Sequence, residues 1–341
     1  MRLVIRKAFL SIGILLLLPL QALPLMQKQN NSNGAVKLSV DLVLVEAEVL
    51  NKKTGQAVEG LKREDFILYE DGIRQQITHF SKDKLPLSVL ILLDVSGSVW
   101  ATIKKLREGA LEALQNLKPE DEVAVMIFAK KPKLALYFTK DKQLAAKAIE
   151  TANAQEVGDE TDTNEAVFQA AAYIKNATNP ENRRVIIAIS DDVSTHKVLS
   201  LSKSKTIHEL LESGSTVCGL LFNSIYKTKP EPNTDPLGGG LQTILISGET
   251  DIIKSYVDRT GGLAIEADQQ SVKEGFIYLI ERLRTRYSLG YVSSNEKQDG
   301  KLRRIKLRIS PDVDKREKGT AIITRKGYYA RQTDRSAGNP K

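Results

Sequence analysis

The sequence is poorest in the residues that most often anchor chemistry: it has one cysteine, three histidines and one tryptophan in 341 residues. A lone thiol, Cys218, excludes an intrachain disulfide, and its setting in "STVCGLLF" is that of a small buried apolar residue. His79, His196 and His208 are scattered without ligand spacing, which argues against a zinc centre. Aromatics make up only 6% and do not interleave with the basic clusters "AKKPK" (129–133) and "LRTR" (283–286). Those clusters are expected to be solvated faces, and no nucleic-acid partner is expected. A comfortable membrane span is missing too. The N-terminal apolar run from Ala8 to Leu20 is short and is broken by Pro19.

That run has a different use. Arg2, Arg6 and Lys7 precede it and Ala22 offers a small residue for cleavage, so residues 1–22 read as a secretory signal peptide. Export to the periplasm, the envelope or the exterior is expected, with no stable transmembrane anchor. Removing three basic residues and no acidic one lowers the formal net charge from +8 to +5. At 41% hydrophobic and 27% charged, the remainder has an ordinary globular composition.

Three segments follow. Residues 36–84 are β-rich. In "VKLSVDLVLVEAEVL" the apolar parity switches from Leu38, Val40 and Leu42 to Val43, Val45, Ala47 and Val49, which a bulge or a change of packed face would produce. In "FILYEDGIRQQITHF" the pair Asp71-Gly72 between two β-rich runs predicts a hairpin. Residues 85–286 alternate continuous apolar runs ("LSVLILLD", "EVAVMIFA", "RRVIIAIS") with amphipathic stretches such as "TNEAVFQAAAYIKNA" and "SVKEGFIYLIERLRTRY". Such runs are strands buried on both faces of a parallel sheet, and the alternation predicts a Rossmann-like, doubly wound α/β domain with helices on both faces. Residues 287–330 return to strands expected to pair with 36–84, and 331–341 is a polar tail expected to be disordered. Gly261-Gly262 reads as a tight turn.

The α/β reading gives "ILLDVSGSVW" a meaning. Open α/β sheets bind ligands outside the carboxyl ends of their strands, where Asp94 ends one run and Asp191 and Asp192 end another. The loop "GDETDTNEA" offers Thr161 or Thr163 to the same edge. These are hard oxygen donors, a set that suits Mg²⁺ best, with Mn²⁺ and Ca²⁺ as alternatives. Asp94 and the serines could instead cap a helix starting near Val99. The long segment from Asn223 to Thr243 is expected near this edge and available to a partner. Thr161 and Asp191 are expected on exposed loops that contribute little to the core.

Asp94-x-Ser96-x-Ser98, then a threonine loop, then an aspartate after a central strand resembles the von Willebrand factor type A domain and its metal-ion-dependent adhesion site. The register of that resemblance selects Thr161. It implies a metal held by Asp94, Ser96, Ser98, Thr161 and Asp191, and a partner protein that supplies an Asp or Glu to the metal. Glu160 and Asp192 stand where the family usually has glycine and are expected to add negative charge at the rim. The flanking β segments resemble an exported bacterial group described as VWFA-related, found mainly in Acidobacteria. An enzyme is not expected. A haloacid-dehalogenase-type phosphohydrolase needs a second acid where Ser96 stands, and the Gly-x-Ser-x-Gly elbow of serine hydrolases is missing. The remaining alternative is an envelope module whose metal only stabilises the fold.

Overall fold

The computed structural model describes residues 42–99, 103–153, 157–158, 160–195, 201–222, 249–266 and 272–332, without the side chains of 98, 103–106, 113 and 249–250. The expected signal peptide, the segment 223–243 and His196 lie outside the described residues, as do 333–341 of the polar tail.

In chain order the strands are β1 (Leu42–Asn51), β2 (Phe66–Glu70), β3 (Ile73–Gln75), β4 (Ile77–Ser81), β5 (Leu87–Asp94), β6 (Glu122–Phe128), β7 (Pro132–Thr139) and β8 (Arg183–Ser190). They continue with β9 (Val193–Ser194), β10 (Thr216–Leu221), β11 (Glu249–Thr250), β12 (Ala264–Glu266), β13 (Tyr287–Val292), β14 (Leu302–Ile309), β15 (Thr320–Thr324) and β16 (Gly327–Tyr329). The helices are α1 (Ile103–Leu114), α2 (Lys142–Thr151), α3 (Thr163–Tyr173), α4 (Lys203–Ser213), α5 (Ile252–Thr260), α6 (Val272–Arg284) and α7 (Pro311–Arg316).

The α/β part has a six-stranded sheet in the order β12-β10-β8-β5-β6-β7. All but β7 run parallel, as the continuous apolar runs predict, and every residue of β5 and β6 is buried. Alternate residues feed two cores. Val89, Ile91 and Leu93 meet α6 through Phe276, Leu279 and Leu283, while Leu90 and Leu92 meet α3 through Ala166, Val167 and Ala170. A sheet covered on both faces by helices is the doubly wound arrangement expected from the sequence. Helix ends follow side-chain chemistry. Asp141 caps α2 by accepting from the Gln143 amide at 2.8 Å, and Asp162 caps α3 by accepting from Glu165 at 3.1 Å. Helix α5 ends at Gly261 with φ +73°, and a side chain at Gly262 would meet the Val217 carbonyl, so this pair is a turn packed against β10.

The flanking segments form two four-stranded sheets, β15-β1-β13-β4 and β16-β14-β2-β3, which share one apolar core. Strand β1, from before the α/β part, pairs with β13 and β15 from after it, and β2 pairs with β14. Asp71 (φ +47°) and Gly72 (φ +86°) turn the β2–β3 hairpin in left-handed conformations, as that dipeptide predicts. The second apolar parity prevails in β1. Val45, Ala47 and Val49 are buried, while Leu42 and Leu44 are exposed. Gln332, at the start of the expected tail, still bridges Asp299.

One basic cluster departs from expectation. Lys130, Lys131 and Lys133 are exposed, but Arg284 and Arg286 are buried. Here α6 hands the chain back to the β sheets, and carboxylates converge on it. Arg284 pairs with Asp121, Arg282 pairs with Glu48, and Arg286 lies 3.9 Å from Glu48. Arg183, also buried, pairs with Glu46 at 2.8 Å and donates to the carbonyls of Leu283 (2.7 Å), Arg284 (3.2 Å) and Arg286 (2.8 Å). It thereby satisfies acceptors that the end of α6 leaves open.

Candidate functional site

Asp94 is the last residue of β5 and is fully buried. Its Oδ1 accepts from the Ser96 amide at 2.9 Å, and its Oδ2 accepts from the Ser190 hydroxyl at 2.6 Å. The Ser96 hydroxyl bonds to the same carboxylate. Ser190 ends β8, the parallel neighbour of β5, so sheet register alone places this hydroxyl beside Asp94. Asp191, the next residue, is also fully buried, and its Oδ1 accepts from the Val193 amide at 3.2 Å. Burial first, then the charge of Asp191, pushes the Asp94 carboxyl up to about 7, against the opposing bonds from Ser190 and Ser96. Two carboxylates share one dry pocket at the carboxyl edge of the sheet.

The threonine loop is strapped to that edge. Thr161 donates its amide to the Thr195 hydroxyl at 2.9 Å, and its carbonyl accepts from the Ser194 hydroxyl (2.8 Å) and the Thr195 amide (3.0 Å). The Asp162 amide reaches the Ala129 carbonyl at 2.9 Å, just beyond β6. Thr161 and Asp191 are therefore buried and tied down, not on the exposed loops expected, because strand ends and loop bond to one another. Thr163, the other candidate hydroxyl, is buried at the start of α3 with no hydrogen-bond partner for its Oγ1. Ser96 is buried, while Ser98 lies in a 3-10 turn over Gly97–Val99 with its side chain outside the described set. Residues 100–102, where a helix capped by Asp94 and the serines would begin, lie outside the described residues.

Residues 89–193 match the von Willebrand factor type A domain family. The matched span of the type A domain runs from β5 to β9 and contains all five candidate residues. Among solved structures, the protein BatB from Bacteroides thetaiotaomicron is similar at 18% identity and TM-score 0.44, over 58% of this chain and 98% of that one. A von Willebrand factor type A protein from Catenulispora acidiphila is similar at 12% identity and TM-score 0.43, over 77% and 75%. The mussel byssus proximal thread matrix protein 1, described with a zinc-occupied MIDAS motif, is similar at 13% identity and TM-score 0.42, over 60% and 49%. No curated protein matches the sequence.

The residues present fit a divalent cation by the chemistry of their donors. All are hard oxygens, and burial together with the charge of Asp191 raises the cost of ionising Asp94, which a bound cation would relieve. Among the described residues no group of three or more His, Cys, Asp or Glu side chains is arranged to hold a metal, so hydroxyls carry much of this donor set.

Two rim residues resolve differently. Glu160 is half-exposed and pairs with Lys130 at 3.0 Å, as a rim charge should. Asp192 is no rim charge. It is fully buried at φ +54°, and its carboxylate accepts from the Ile253 amide at 2.8 Å and the Lys254 amide at 3.3 Å. It caps α5 from sixty residues upstream, a role that no local pattern announces. Ser190, Ser194 and Thr195 were likewise invisible as site residues, since only strand pairing and the loop strap give them their positions.

Proposed function

We propose that this chain is an exported, divalent-metal-dependent protein-binding module. In this reading Asp94, Ser96, Ser98, Thr161 and Asp191 hold Mg²⁺, and a partner protein offers an Asp or Glu to it. The observation that carries the reading is the pair of buried carboxylates, Asp94 and Asp191, with the Ser96 and Ser190 hydroxyls on Asp94, at the carboxyl edge of the α/β sheet. When bound, the cation would supply a Lewis-acidic point that captures one further oxygen. The chain's own residues do the rest. Ser190 and the Ser96 amide fix the rotamer of Asp94, and the Thr195–Thr161 strap fixes the loop. Export rests on the signal-peptide pattern of residues 1–22; among the described residues no helix is long and apolar enough to cross a membrane. Type A domains are generally interaction modules, and Ser96 where a second acid would be needed supports the absence of phosphohydrolase chemistry.

A structural module whose metal only stabilises the fold is favoured by one observation: Asp94, Ser96, Thr161 and Asp191 are all nearly inaccessible. The deciding experiment is a pull-down from the source envelope fraction with Mg²⁺ and with chelator, paired with thermal unfolding of Asp191→Ala and Thr161→Ala. A cation that binds only the native state adds about 2.7 kcal/mol at a hundredfold excess over its Kd. Both variants should lose the Mg²⁺-dependent rise in Tm together with Mg²⁺-dependent capture. A full Mg²⁺-dependent rise in both would overturn the metal site. A lost rise in the variants, with the wild type capturing nothing under Mg²⁺, would favour the structural module.

A further inference from the structure

A second binding surface lies away from the metal edge. A groove of about 950 Å³ runs between the outer face of β14 and helices α4 and α5. Strand β14 alternates strictly: Arg303, Ile305 and Leu307 are buried, and Arg304, Lys306 and Arg308 are exposed along one face. Residues two apart on a strand are about 6.6–6.8 Å apart, so this is a row of three cations at a fixed repeat. Arg259 of α5 and Lys326 of the β15–β16 turn add two more on the walls. The two acidic residues lining the groove are engaged. Asp71 accepts from the Arg304 amide at 2.9 Å, and Asp258 lies 3.3 Å from Lys326. Among the described residues, Arg259, Arg304, Lys306 and Arg308 enter no ion pair. Tyr69, whose ring lies 5.6 Å from the Arg308 guanidinium, together with Ile207 and Leu211 of α4, gives the groove an apolar floor and wall.

Charged side chains on a strand face often serve only solubility or guard an edge. Strand β14 is not an edge: it sits between β16 and β2. Its charged face, though exposed, also lines a groove to which Ile207 and Leu211 of α4 and Asp258 and Arg259 of α5 contribute. No segment outside the described residues carries acidic residues at alternate positions, so the sequence pattern points to a partner's peptide as the occupant.

We propose that this groove binds an extended acidic peptide segment of a partner protein, with carboxylates at alternate positions facing Arg304, Lys306 and Arg308. An extended peptide repeats every second side chain at the same 6.6–6.8 Å spacing as β14, so each carboxylate meets one cation in register. Exposed pairs are individually weak, so the affinity should be modest and should fall as salt is raised.

The test uses a fluorescein-labelled dodecapeptide of alternating Glu and Thr, followed by anisotropy at low salt in the presence of chelator. Both the wild-type chain and Asp191→Ala are titrated, so the outcome does not depend on the metal site. The comparison variant is Arg304→Gln, Lys306→Gln and Arg308→Gln together; all three side chains are exposed, and its Tm is measured alongside. We expect binding with Kd below about 1 mM, unchanged by Asp191→Ala and weakened roughly tenfold or more in the triple variant. A peptide of the same composition with its glutamates in one block should bind more weakly. The proposal is overturned if the alternating peptide does not bind, if the triple variant binds equally well, or if the block peptide or inorganic polyphosphate matches or outcompetes it.

Discussion

Asp94 decides how the metal-free protein responds to pH. An ordinary aspartate releases its proton near 3.8, whereas in the folded chain Asp94 holds it up to about 7. Between those values the folded state keeps a proton that the unfolded chain has already lost. Stability in chelator should therefore fall as pH rises from about 4 to about 7, because ionising Asp94 beside Asp191 costs energy only when folded. Asp94→Asn removes this dependence, since the amide does not titrate. The difference in Tm between wild type and Asp94→Asn in chelator, followed from pH 5 to 8, should shrink at the acidic end and widen towards neutrality in favour of the variant. A constant difference would show that Asp94 does not titrate in the folded chain within this range. A divalent cation competes with that proton for the same carboxylate, so the Mg²⁺-dependent rise in Tm should be larger at pH 8 than at pH 5.5.

At the scale of elements, Asp192 ties a strand end to a distant helix. It sits in a left-handed conformation that aspartate and asparagine tolerate better than other side chains, and it caps α5 through Ile253 and Lys254. Asp192→Ala loses the cap and keeps the unfavourable backbone, and should cost about 2 kcal/mol by denaturant unfolding. Asp192→Asn keeps an acceptor and should cost less than half as much. Equal losses would mean that charge rather than capping is what matters there. This residue also shows where sequence reasoning stops. The strands β5, β6 and β8, the helices α3 and α6 and the Asp71-Gly72 turn were legible, because apolar periodicity and turn chemistry are local. So was the place of Asp94 and Asp191 at the ends of β5 and β8, because each closes a continuous apolar run. The cap on α5, the Ser190 hydroxyl on Asp94 and the burial of Thr161 were not, because each depends on which strands become neighbours. Strand β7 escaped for another reason: the basic cluster leading into it, Lys130, Lys131 and Lys133, masked a half-buried edge strand running antiparallel to β6.

At the scale of the whole molecule, the buried ion pairs at the end of α6 join the α/β part to the β sheets that flank it in sequence. Glu48 of β1 is 2% exposed and faces Arg282 and Arg286, of which Arg286 is among the largest fully buried side chains. Desolvation raises the Glu48 carboxyl, and the two arginines oppose that rise. Such a cluster contributes little net stability over a well-packed apolar one, since removing charges from water costs about what their attraction returns. Breaking it from one side is different. Glu48→Leu would leave two arginines facing a low-dielectric joint without their carboxylate, and losses of this kind are about 3–5 kcal/mol. Because the same arginines belong to the end of α6 and Glu48 to β1, the loss should not stay in the β sheets. We expect Glu48→Leu to lower a single unfolding transition, seen alike in the fluorescence of Trp100, the only tryptophan, and in far-ultraviolet circular dichroism. Adding Arg286→Met to Glu48→Leu should recover part of the loss, since one of the stranded charges is then gone. Two separated transitions, with only one shifted by Glu48→Leu, would mean that the flanking sheets and the α/β part unfold independently and that the ionic joint does not couple them.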